Sequence, residues 1–254
     1  MFKYLLSICL IFLIFSNCKK NHLSEEEPVL RADSDTTAAS DPNVFDLPID
    51  SAPRFVNASY IDINKISRIS RFRSGIGHDY SDDFEFCRSM KHYFDPGIHS
   101  NDTICIYSPV NGRIVRMFSE WAGNQVQIQS DDYPAFTFVL FHVNTLPFVQ
   151  ENQALQAGQL IGYHIGNMTM SDIAVRVNTS GNGPKNDSIT QAGGRYCSYF
   201  QVINDSVFGL YSQRGIVSRS ELIITEDERD QQPLDCNGEY FLDPGTINNW
   251  VVLQ

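Results

Sequence analysis

His78 and Asp82 stand four residues apart in Gly77-His78-Asp79-Tyr80-Ser81-Asp82, behind the lead-in Arg73-Ser74-Gly75-Ile76. Imidazole nitrogen and carboxylate oxygen are zinc-ligand types, and a catalytic zinc needs three protein ligands with a fourth position left for water. The pair is therefore half of a candidate metal site. In an Asp-rich loop the same two residues are also what a solvated, locally hydrogen-bonded turn looks like. The missing ligand decides between these readings. His92 and Asp95, in Cys87-Arg88-Ser89-Met90-Lys91-His92-Tyr93-Phe94-Asp95-Pro96, are candidates for it, although His92 reads more naturally as a hydrogen-bonded structural histidine. His99 and His164 show no partner pattern.

The opening MFKYLLSICLIFLIFSNC has a basic start at Lys3, an apolar run from Tyr4 to Phe15, and a close on Ser16-Asn17-Cys18. That is the layout of a secretory signal, too short for a comfortable membrane span. It resembles a bacterial lipoprotein signal, in which Cys18 is lipidated and becomes the new N-terminus. Asn17 departs from the usual small residue before that cysteine, and an ordinary cleaved signal or an uncleaved anchor are the alternatives. The expectation is an exported lipoprotein, anchored through Cys18 in the periplasm or at the cell surface. Export past an oxidising boundary changes how Cys87, Cys105, Cys197 and Cys236 are read. They contain no C-x-x-C pair, so two disulfides are expected rather than a metal knuckle, with three pairings open. Cys197 and Cys236 are one candidate staple for the end of the chain.

With 254 residues and 42% hydrophobic side chains, the chain is long enough for one substantial domain with a tail, or two small ones. Its 19 basic against 30 acidic residues give a net charge of −11, which argues against nucleic acid or an anionic membrane surface as the main partner. Residues 19–50 are rich in Ser, Thr, Asp, Glu and Pro with few large apolar groups, too few to offset the entropy of ordering, and read as a flexible tether.

The elements that must position any site are strands. Thr103–Tyr107, Gly112–Val115, Asn124–Gln129, Ala135–Val143, Leu160–Tyr163 and Asp172–Val177 are short, rich in β-branched and aromatic residues, and separated by turn signals such as Pro109-Val110-Asn111-Gly112. Val126 and Ile128 alternate with glutamines, the period of a half-buried strand. The predicted fold is mainly β, an antiparallel sandwich or partly open barrel over residues 51–180, with a small mixed α+β C-terminal appendage over 181–254. In that appendage Phe200, Ile203, Val207, Leu210 and Tyr211 fall at helical spacing, ended by Gly215, and Ser218-Arg219-Ser220-Glu221 has the spacing of a capping box.

One order of motifs runs through the middle of the chain. Tyr107-Ser108-Pro109-Val110-Asn111-Gly112-Arg113-Ile114-Val115 is followed by Gly123-Asn124-Gln125-Val126-Gln127-Ile128. Phe141-His142-Val143 comes next, and then Val149 to Gly162 with its Gly158-Gln159-Leu160-Ile161-Gly162 turn. This order resembles the lysostaphin-type, LytM-like peptidoglycan endopeptidases, over roughly residues 75–177. Biotinyl and lipoyl carrier domains share the Pro-x-x-Gly-x-Ile turn, but they need a modifiable lysine between the two turns, and Val115 to Gly158 contains none.

The resemblance implies a zinc held by the His and Asp of H-x-x-x-D and by the second His of an H-x-H strand. The first His of that strand and an earlier strand-end His then lie around the metal-bound water. Here His78 and Asp82 match the first pair and His142 the strand-end histidine. The H-x-H strand falls at Met170-Ser171-Asp172-Ile173-Ala174, where Asp172 and Ala174 take the two same-face positions. Ala174 cannot bind metal, so the third ligand is missing and no cofactor is expected. The implied protein is a lipid-anchored, non-catalytic LytM-like domain that binds peptidoglycan or regulates a cell-wall hydrolase. The alternative is a zinc endopeptidase with a non-standard third ligand, in which His142 and Asp172 do the catalytic work.

Overall fold

The computed structural model describes residues 41–180 and 194–254; Cys18 and the rest of the signal lie outside the described residues. The fold is mainly β. Its described strands are β1 (Arg68–Ser70), β2 (His92–Asp95), β3 (Cys105–Tyr107), β4 (Gly112–Ser119), β5 (Asn124–Ser130), β6 (Phe136–Thr145), β7 (Ala154–Leu155), β8 (Leu160–His164), β9 (Ser171–Asn178), β10 (Gly194–Cys197), β11 (Asp235–Cys236), β12 (Phe241–Asp243) and β13 (Trp250–Val252). Each predicted strand in the middle of the chain is present. All the described strands but β11 and β12, which pair with each other, form one antiparallel sheet ordered β13-β1-β2-β9-β6-β5-β4-β7, with β10 on β9, and β8 bridging β6 to β3. The sheet does not close into a barrel.

Strand alternation gives this sheet two unlike faces. On β9, Ile173, Val175 and Val177 enter the main core, together with Phe136, Phe138 and Leu140 of β6, Phe94 of β2 and Tyr199 and Phe200. Ala174 points the other way, into a smaller cluster with Phe72, Met90, Val139, Phe141 and Tyr196. Residue 172 shares its face. The glutamine face of β5 is covered rather than solvated: Gln125 and Gln127 are buried, and Gln127 donates to Gln125, which in turn donates to Glu120. Paired amides supply the partners that water would otherwise give.

The described α-helices lie in the C-terminal segment, which also contributes β10 and β13 to the sheet. The helical spacing read over 200–211 is split into α1 (Tyr199–Val202) and α2 (Asp205–Ser212), because Asn204 leaves helical geometry and caps α2 by accepting from the Val207 amide. The expected capping box closes on a 3-10 turn at Arg219–Leu222. It is followed by α3 (Glu226–Gln231). The described end of the segment read as a tether is docked: Phe45 packs on Phe136, and Asp46 accepts from Ser180.

The cysteine staple differs from the candidate pair. Cys236 is bonded to Cys87, 149 residues earlier, while Cys197 is a buried free thiol and Cys105 is also disulfide-bonded. Burial among apolar groups raises the Cys197 thiol pKa, so it stays protonated. The Cys87–Cys236 bond ties the loop that follows His78 to the β11–β12 hairpin, which also bridges His78 through Tyr240.

Candidate functional site

The site is built where β6 changes partners. Up to Leu140, β6 pairs with β9 (Leu140↔Ile173); from Val143 it pairs with β8 (Val143↔His164). Between them, Phe141 and His142 together oppose the single Gln125 of β5, a bulge of one extra residue, since Asn124 and Val126 face Val143 and Leu140. His142 sits there at φ 59°, a left-handed conformation that a bulge imposes and that re-aims the side chain. Its Nδ1 donates to the Ala122 carbonyl at 3.0 Å, with Glu120 Oε2 3.5 Å away, and its Nε2 faces Asp172 Oδ1 at 3.4 Å. Trp121 stands over this edge, 75% exposed, its ring 5.9 Å from the imidazole.

Asp172 is fully buried, and its other oxygen, Oδ2, accepts from the Lys91 ammonium at 2.5 Å. Lys91 precedes β2, in which Tyr93 lies opposite Asp172. The ammonium is 1% exposed and lies 4.1 Å from the centre of the Phe141 ring, 4.8 Å from Tyr80 and 4.9 Å from Tyr93. Burial alone pulls the Lys91 pKa down, but the Asp172 carboxylate with Tyr93 outweighs it and leaves the value above its ordinary one. Lys91 is therefore a charged group inside the protein, held by one carboxylate and three aromatic faces.

His78 lies at the rim, partly buried. Burial first, and then the Lys91 charge, lower its pKa, so the imidazole is neutral at pH 7. Gly77 beside it has φ +77°, and a Cβ there would meet the Tyr93 hydroxyl at 1.9 Å, so only glycine lets that phenol close under the loop. Asp82 does not join the group around Asp172. Its Oδ1 accepts from the Phe84 and Glu85 amides at 2.9 and 3.0 Å, and its Oδ2 accepts from the Tyr196 amide at 3.0 Å. Burial raises its pKa while these amides pull it back. Asp82 holds a turn and pins β10.

The other candidates are accounted for. His92 is buried, with Nδ1 donating to the Ser70 carbonyl and Nε2 accepting from Ser198 Oγ, which makes it structural. Asp95 pairs with Arg68 at 2.7 Å, and His99 pairs with Asp102. His164 is buried near His142 and Asp172, and burial lowers its pKa.

A zinc held as the resemblance implies does not fit these residues. Both oxygens of Asp82 are taken by backbone amides, Ala174 offers a methyl group to an apolar cluster, and Asp172 Oδ2 holds an ammonium. Among the described residues no three His, Cys, Asp or Glu side chains converge to hold a metal ion. The arrangement instead offers a fixed, charge-balanced wall beside an exposed indole. Sequence reasoning missed Lys91, Glu120 and Trp121. The only available signal was a lysine inside the otherwise buried Met90–Phe94 stretch, which argues for a partner because lysine is almost never buried unpaired.

No protein-family model matches the chain, and no curated protein matches it. Solved structures do. The SpoIIQ–SpoIIIAH pore-forming complex is similar over 65% of this chain and 99% of that one, at 10% identity and a TM-score of 0.39. LytU is similar over 46% and 77%, at 21% identity and 0.32. Lysostaphin is similar over 48% at 17% identity and 0.29, and the chain spans about half of it, 51%. The neighbours of this chain among solved structures are thus LytM-type and SpoIIQ-type proteins, and the reading of function rests on the residues of the chain itself.

Proposed function

We propose that the chain is an exported protein, lipid-anchored at Cys18, whose LytM-like domain over residues 51–180 binds peptidoglycan, or regulates a cell-wall hydrolase, without cutting. One observation carries the reading: the Lys91 ammonium is bonded to Asp172, where the cleft would otherwise present a free carboxylate to a metal or a water. An ammonium balances charge and orients neighbours, but it cannot make a bound water acidic enough to supply hydroxide near neutral pH, as zinc does. The exposed Trp121 ring beside His142 and Glu120 supplies an aromatic platform with a polar edge, the combination that anchors binding surfaces. A net charge of −11 argues against nucleic acid as the main partner.

Cosedimentation with purified sacculi tests this. The full chain is expected to pellet with peptidoglycan and to release no soluble fragments, and Trp121→Ala to weaken retention about tenfold or more. Release of fragments that a chelator stops would overturn the non-cutting reading. Absence of retention, together with absence of a captured cell-wall hydrolase, would overturn the binding reading.

A further inference from the structure

We propose that residues 231–246, the β11–β12 hairpin with its flanks, are a strap over the His78 edge of the cleft, held shut by the Cys87–Cys236 bond and released by a dithiol reductant. The inference does not depend on what the cleft binds.

Three observations meet at the hairpin. No residue from 231 to 246 is buried and none belongs to either apolar cluster, so burial does not hold this segment down. Its ends are tied by polar contacts, Arg229 Nη1 donating to the Gln232 carbonyl at 3.1 Å and Asn249 Nδ2 to the Pro244 carbonyl at 3.0 Å. Between them it meets the loop that carries His78: Cys236 is bonded to Cys87, the Asp79 amide donates to the Glu239 carbonyl at 2.8 Å, and Tyr240 bridges His78. A segment with so little buried apolar surface opens locally at small cost unless a covalent tie prevents it.

The second observation concerns the tie. Cys87 stands at φ 56°, a left-handed conformation that a residue other than glycine keeps only where its surroundings enforce it. Both bonded cysteines are partly exposed, so a reductant reaches their sulfurs, as it does not reach the buried Cys197. The step balances over two electrons. One thiolate of the dithiol attacks the bond, the sulfur it displaces takes up a proton, and the second thiol closes the reductant's own disulfide, leaving Cys87 and Cys236 as thiols.

The third is that the loop beneath stays pinned without the strap. Glu85 accepts from Arg73 and Arg88 in a buried cluster, and Asp82 holds the Tyr196 amide. Release is therefore confined to the hairpin and to residues 77–79. The Tyr93 hydroxyl lies against Gly77 and the Tyr93 ring against the Lys91 ammonium, so freeing His78 loosens the wall of the cleft itself.

Amide hydrogen exchange is followed in the full chain as native protein, after dithiothreitol, and as the double variant Cys87→Ser with Cys236→Ser. The variant is needed because Cys105 is also disulfide-bonded and dithiothreitol is not specific to one bond. Exchange at Asp79 and along the hairpin is expected to rise about tenfold or more in both forms that lack the bond, while β6 and β9 stay protected. Diethyl pyrocarbonate should modify His78 faster in the same two forms. Equal protection of Asp79 with and without the bond overturns the strap. Loss of protection across β9 overturns it too, because the bond then holds the fold. If the variant does not fold, the native chain before and after dithiothreitol decides, with β3 exchange reporting any change at Cys105, and unfolding there counts against the proposal.

Discussion

The two faces of β9 solve different problems with alternate residues of one strand. Ile173, Val175 and Val177 join a continuous apolar core that shape and area stabilise. Asp172 and Ala174 face a small cluster in which a buried ion pair lies among aromatic rings. On the first face a lost methylene is a small defect that neighbours partly absorb. On the second, a lost charge leaves its partner stranded without water. The difference teaches where specificity is held: the core face sets the fold, and the cleft face holds one electrostatic arrangement that tolerates little editing.

The sharpest way to break this comparison is Lys91→Met, which keeps the volume and removes the charge. A loss of about 3–5 kcal/mol in urea unfolding is expected, because Asp172 is left buried and unpaired. Pairing it with Asp172→Leu should recover most of that loss, and a double-mutant cycle showing plain additivity would contradict the coupling.

The next effect is set by pH and belongs to His92, which contacts Phe200 of the core face. Its folded pKa is lowered to about 4, by burial first, against an unfolded value near 6.5. Above pH ~6.5 neither state carries the proton and the stability is complete. As pH falls through the window to 4, the unfolded chain takes up a proton that the folded one refuses, and about 3 kcal/mol is lost. The test is the pH dependence of unfolding in native protein and His92→Gln, where the slope over that window should flatten. The smallest effect is Ile173→Val, at about 1 kcal/mol with no change in sacculus retention. A loss of retention there would mean the two faces are not independent.

Much of the fold was legible because period-2 patterns such as Asp172–Val177 commit a strand to two faces before any partner is known. The site was less so. His142 was found, but the bulge that aims it lies inside the apolar run Ala135–Val143, where no glycine or proline marks it. Lys91 was passed over because its partner is 81 residues away and a lone lysine carries no pattern. Asp82 is a candidate ligand by spacing because spacing reports which side chains share a loop, not which backbone amides claim their oxygens. The Cys87–Cys236 bond is the same kind of case, since a separation of 149 residues leaves several pairings equally compatible with the sequence.

The bulge at Phe141 and His142 also reverses the phase of β6. Before it, even-numbered Phe136, Phe138 and Leu140 enter the core and odd-numbered Val139 and Phe141 face the cleft; after it, odd-numbered Val143 is in the core. The strand is therefore two half-strands out of step by one residue, each answering to its own neighbour. Substitutions in the half that follows β9 can reshape the cleft without disturbing how the other half meets β8. A one-residue deletion at the junction would remove the bulge, put both halves in step with Leu140 and Val143 still on the core face, and take away the kink that aims His142.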